Sequence, residues 1–144
     1  MPDGKKRDRT SSGMTMEERE LVEKHRDQLS PSTLRAKWVH SPDEREDWKG
    51  QTLATRSHDV IKAWAEDRGA TPATVEGTRR GARPGVLRFV FNDEEPEGRL
   101  KEVGWDEWFR TFDERELIFL HQQHLRNGNQ SSFFRFDSPN REDA

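Results

Sequence analysis

Apolar residues fall into a few short periodic runs separated by longer polar ones, and the densest lie between Val86 and Phe136. In GWDEWFRTF, Gly104 to Phe112, the residues Trp105, Trp108, Phe109 and Phe112 recur at the spacing of one helical face. That pattern predicts a helix with a wide aromatic side. GVLRFVF, Gly85 to Phe91, alternates instead, with Leu87, Phe89 and Phe91 on one side and Val86, Arg88 and Val90 on the other, as in a strand. LIFLHQ (Leu117 to Gln122) and SSFFRFD (Ser131 to Asp137) predict two further strands, and RNGN at Arg126 to Asn129 supplies a hairpin turn between them. Leu100 and Val103 mark a short additional strand after the acidic turn DEEPEGR.

Ser57 to Arg68 reads as a second helix, with Ser57 as cap, Asp59 in the first turn and Gly69 as terminator. Val60, Ile61, Trp64 and Ala65 form its apolar side. ATPAT then breaks the helical pattern and leads to Val75.

Upstream, the pattern is thinner. Thr15 to Leu29 predicts a helix, because Thr15 and Glu18 stand at capping-box spacing and Leu21, Val22, His25 and Leu29 make a narrow apolar side. Ser30-Pro31 stops it and can start a short helix through Lys37 or Val39, on which Leu34 and Trp38 are four apart. SPDEREDWKG, Ser41 to Gly50, is too charged for an interior element and reads as a connector whose Trp48 makes one contact.

An apolar helix face and an apolar sheet face stay out of water only by covering each other. The predicted fold is α+β: a small three- or four-stranded, mainly antiparallel sheet with two helices packed on one face, plus an N-terminal helical arm. Its predicted core comprises Val60, Ile61, Trp64, Leu87, Phe89, Phe91, Trp105, Trp108, Phe109, Phe112, Leu117, Phe119, Phe134 and Phe136. The expected organisation is a disordered tail at 1–13, the arm and charged connector at 14–56, the compact domain at 57–137 and a frayed end at 138–144.

Composition sharpens this division. Hydrophobic residues make up 29% of the 144 and charged residues 37%, too lean a mixture for a packed globule of full length, while all eight Phe lie after residue 60. The formal charge of −3, with both signs interspersed, gives no general attraction to nucleic acid or to an anionic membrane. Absence of cysteine excludes disulfides, thiolate metal sites and cysteine nucleophiles. MPDGKKRDRTSSG has positive charge without an apolar run behind it, and no apolar stretch reaches bilayer length. The expectation is a cytoplasmic protein without a membrane partner.

Candidate chemistry is sparse. The loop GTRRGARPG gathers Arg79, Arg80 and Arg83 without an acid, and with Arg88 on the next strand it can grip phosphate or an acidic segment. Exposed Phe89, Phe133 or Phe134 beside those arginines would make a single-strand nucleic-acid platform. His121 and His124 are three apart but end a strand and enter a turn, and His58 or Asp137 would have to complete a metal shell; no metal or other cofactor is expected. Asp106, Glu107, Asp113 and Glu114 sit at the aromatic helix's ends, where the helix itself accounts for the first two. Ser131 and Ser132 lack a nucleophile-elbow setting, and no nucleotide-binding glycine motif occurs. Nothing positive indicates an enzyme. A deep pocket containing Asp106, Glu107 or His121 would reopen that question.

SHDVIKAWAEDRGATPATVEGT, GVLRFVF, WDEWFRTFDERELIFLHQQ and SSFFRF together resemble a group of small bacterial proteins with no established activity, over His58 to Phe136. LSPSTLRAKWVHSPDERED and GQTLATRSH resemble the longer members. Some members carry the label glucan branching enzyme, a chemistry that needs a large barrel and separated catalytic carboxylates. The resemblance implies a bacterial origin and a shared domain, and it transfers no catalytic residue.

These observations lead to a non-enzymatic domain that acts through an unknown protein partner or as a homodimer. Leu21, Val22, His25, Leu34 and Trp38 of the arm are its expected docking residues. The alternative is nucleic-acid binding through the arginine-rich loop, Arg79, Arg80, Arg83 and Arg88.

Overall fold

The computed structural model describes residues 13–77, 85–91 and 100–139. Helix α1 (Met16–Lys24) begins with the predicted capping box: the Glu18 amide donates to Thr15 Oγ1 at 3.1 Å and the Thr15 amide to Glu18 Oε1 at 2.8 Å. It ends at Lys24 rather than Leu29, since His25 leaves helical geometry and the exposed Arg26, Asp27 and Gln28 offer no face to bury. Helix α2 (Pro31–Arg35) is capped by Ser30, whose Oγ accepts the Thr33 amide at 3.2 Å. Ala36 is extended, so Trp38 lies on strand β1 (Lys37–Trp38) and not on a helix with Leu34.

Strand β1 runs parallel to β2 (Leu53–Thr55), with the segment between them as the crossover. Helix α3 (His58–Asp67) follows, capped by Ser57. Then come β3 (Ala70–Val75), β4 (Leu87–Phe91) and β5 (Leu100–Glu102). Helix α4 (Trp105–Glu114) leads to β6 (Ile118–His121) and β7 (Phe134–Asp137).

The class is α+β with mainly antiparallel pairing, as predicted, but the strands divide over two sheets of order β1-β2-β6-β7 and β4-β3-β5. Three strands lie outside the prediction, β1, β2 and β3, the last in the segment ATPATV. Its Pro72, which has no amide to donate, pairs with Phe89 on one side. On the other side β5 begins its pairing only at Ala73, and Pro72 offers its carbonyl to the Val103 amide at 3.0 Å.

Strand β6 explains how the layers stack. All four of its residues are buried, which requires cover on both faces. Phe119 packs into a cluster with Ile61, Trp64, Phe89, Trp108 and Phe112, uniting α3, α4 and β4. Ile118 and Leu120 point the other way and join Val22, Leu29, Ala36, Trp38 and Ala54. The N-terminal segment is thus the second cover of the four-stranded sheet. Every predicted core residue lies in or against the first cluster except Val60, which packs with Val39 and Leu53. Among the described residues no helix is long and apolar enough to cross a membrane.

Candidate functional site

The expected docking residues of the arm are not available as an open surface. Val22 is 2% and Trp38 1% exposed, Leu21 and Leu34 pack partly buried against them, and His25 is half-buried. Returning Val22, Leu29 and Trp38 to water would cost about 1.5–3 kcal/mol each. A nine-residue helix alone in water offsets none of that, so the docked state wins.

Arg79, Arg80 and Arg83 lie outside the described residues. Arg88 is exposed on β4, with Nη1 donating to the Leu87 carbonyl at 2.8 Å. Phe89 is core, so it cannot serve as a stacking platform. Arg88 instead meets a residue that the sequence reading passed over: with Arg135, Phe134 and Phe136 it lines a groove of about 360 Å³. The Phe89 and Phe134 ring centroids are 5.0 Å apart, which brings β4 alongside β7, each at the end of its sheet. Neither Arg88 nor Arg135 forms an ion pair among the described residues. Phe134 and Phe136 are partly buried, while Phe133 is 38% exposed.

His121 and His124 come to a second hollow, a cleft of about 250 Å³ between α3, the crossover at Ser41–Arg45 and the turn after β6. Their proposed co-ligands are elsewhere. His58 Nε2 lies 3.0 Å from Asp113 with its ring stacked on Phe109, and Asp137 accepts from the Ser30 amide and the Thr33 hydroxyl. His124 Nδ1 is 2.6 Å from Glu46 Oε2, which ties the turn to the crossover. Among the described residues no group of three His, Asp or Glu could hold a metal.

His121 itself is unusual. Its ring stacks on Phe119 at 5.1 Å between centroids, meets Trp64 edge-on and leaves Nδ1 buried without a hydrogen-bond partner. Burial lowers its pKa from 6.5 to about 3; the Phe119 backbone offsets a little of this without reaching hydrogen-bonding geometry, and the charge of Arg68 adds to it. His121 is therefore neutral at ordinary pH.

Arg68 completes the cleft wall. Its Cζ sits 4.5 Å from the Trp64 ring centroid, and its guanidinium donates to the carbonyls of Trp64, Gln122, Gln123 and Ser131. Burial lowers its pKa as well. Its helix-terminal place was legible in the sequence, but nothing there indicated that it would bind the turn between β6 and β7.

The remaining candidates line neither of these hollows. Asp106 and Glu107 occupy the first turn of α4, Asp113 pairs with His58, and Ser131 Oγ donates to Gln122 Oε1 at 3.0 Å rather than facing a histidine base. Trp48, expected to make a packing contact, is 62% exposed although the connector around it is anchored: the Gly50 amide donates to the His124 carbonyl at 3.0 Å and Lys37 Nζ to Asp47 Oδ1 at 2.9 Å.

Comparison with family models, with curated proteins and with solved structures finds no match to this chain.

Proposed function

We propose that the domain acts by protein association, receiving an extended acidic segment of a partner along the outer edge of β7. The observation that carries this reading is the groove between β4 and β7, where two exposed arginines, without ion-pair partners among the described residues, flank Phe134 and Phe136. A terminal strand carries backbone donors and acceptors that an added strand can pair, and side chains alternating along that strand can address the groove. Arg88 and Arg135 favour carboxylates in the partner, because guanidinium and carboxylate match in shape as well as charge.

Single-stranded nucleic acid is the competing occupant, since the same arginines fit phosphate. Stacking needs uncovered rings, and Phe134 and Phe136 are already engaged with Phe89, Trp108 and Phe119.

Fluorescence anisotropy at physiological salt tests this reading with a peptide alternating Glu and Val and with a mixed-sequence single-stranded oligonucleotide. Micromolar peptide binding that weakens at least about tenfold in the double variant Arg88→Glu, Arg135→Glu supports the reading. Tighter oligonucleotide binding, or peptide binding indifferent to the charge reversal, overturns it.

A further inference from the structure

The cleft beside His121 is independent of the β4–β7 groove and is built from different elements. Its apolar floor comes from Val39, Val60 and Trp64, and its polar wall includes Arg45, Arg68 and His121. We propose that it is a binding site for a small oxyanion, a carboxylate or phosphate compact enough for about 250 Å³.

Three observations bear on the sign of the ligand. Arg68 is half-buried and its guanidinium hydrogen-bonds only to neutral backbone carbonyls, the one carboxylate acting on it being its exposed chain neighbour Asp67, which makes no ion pair with it among the described residues. Four of its five N–H groups are used in those bonds, and one on Nη1 remains. Arg45 is exposed at the rim and its guanidinium forms no ion pair among the described residues. The acids that line the cleft are placed differently: Glu44 Oε1 accepts the His40 amide at 3.1 Å, and Asp67 is exposed to water at the end of α3.

His121 supplies the third element. It is 2% exposed, lines the cleft and has a ring nitrogen without a partner, an arrangement that costs stability unless something repays it. A neutral imidazole can carry its proton on either nitrogen, so it can donate to an oxyanion without being charged. Arg68 and Arg45 then supply the positive potential, and the half-buried setting strengthens it relative to bulk water.

The test is nuclear magnetic resonance of the full chain at pH 7 and constant ionic strength, following the His121 ring and Arg68 Nε signals. Sodium lactate and inorganic phosphate are titrated separately, with sodium chloride and ethylammonium chloride as matched controls. Saturable shifts at both residues with a millimolar or tighter Kd, for lactate or for phosphate but for neither control, support the site, and the better probe identifies the ligand class. His121→Phe should weaken that binding at least tenfold. Arg45→Gln, which removes no hydrogen bond or ion pair seen in the fold, should weaken it severalfold and decides the matter if His121→Phe does not fold. Shifts that follow ionic strength alone, saturation by ethylammonium, or equal affinity in a folded variant and the parent would overturn the proposal.

Discussion

Acidification should unfold this protein partly through one residue. His121 is 2% exposed, and its pKa falls from 6.5 to about 3 because burial penalises the imidazolium. Between those values the unfolded chain takes up a proton that the folded chain refuses. Stability therefore rises with pH in this window, by up to about 1.4 kcal/mol per pH unit. The contribution is fully present above pH 6.5 and is lost as pH falls towards 3. From pH 6.5 to 4 the loss is about 3 kcal/mol, a large fraction of the 5–15 kcal/mol typical of a folded domain.

Carboxylates also titrate at the acid end, so the useful quantity is a difference. His121→Phe keeps an aromatic ring against Phe119 and Trp64 and removes both the titration and the unpartnered nitrogen. Urea unfolding of parent and variant at pH 7, 6, 5 and 4 should give a parent-minus-variant stability that declines by about 3 kcal/mol over the series. Parallel profiles, agreeing within about 0.5 kcal/mol at every pH, would refute the buried neutral imidazole.

Other substitutions probe the remaining layers. Trp38→Ala should cost about 3–5 kcal/mol in urea unfolding and remove amide-exchange protection from α1, since Trp38 lies in the cluster between that helix and the sheet. Thr15→Ala should cost about 0.5–2 kcal/mol by removing the Oγ1 that accepts the Glu18 amide, read as a lower urea midpoint, while the backbone amide at position 15 keeps its bond to Glu18 Oε1. Gly50→Ala should cost roughly 1–2 kcal/mol, because Gly50 has φ +91° and the added Cβ would come 2.8 Å from Arg126 Cγ; the flexible Arg126 can move, so the backbone strain is the larger part. Arg88→Glu with Arg135→Glu should leave the thermal midpoint within a few degrees of the parent, both side chains being exposed and free of ion pairs among the described residues.

The aromatic helix and the strand alternation were readable because spacing alone places Trp108, Phe109 and Phe112 on one face and Leu87 and Phe89 on another. Strand β3 was hidden by Pro72, which reads as a breaker until the chain length of β5 is known; only then does one side of Pro72 prove to need no amide. Trp38 was placed on the wrong element because a four-residue spacing from Leu34 is compatible with a helix that Ala36 in fact ends. Arg135 carried no signal at all, since its significance depends on β4 lying beside β7, a contact between segments more than forty residues apart in the chain. Arg68 is similar: its helix-terminal position was plain, while its carbonyl partners are set by the turn after β6.

One sequence signal would have located the arm. In LIFLH the apolar residues do not alternate, so Leu117 and Phe119 cannot share their face with Ile118 and Leu120. A strand with two apolar faces needs two covers, and the helices at His58 and Trp105 provide only one. The amphipathic stretch at Met16 is the chain's available second cover, and its Val22 does occupy that face. The same double cover fixes the chemistry of the cleft. With Ile118 and Leu120 committed to the arm, His121 follows Phe119 onto the opposite face and enters the side of the sheet occupied by Trp64. There it loses water but meets Arg68 in the cleft wall, so a histidine that would otherwise end an exposed strand becomes a neutral polar group beside a half-buried cation.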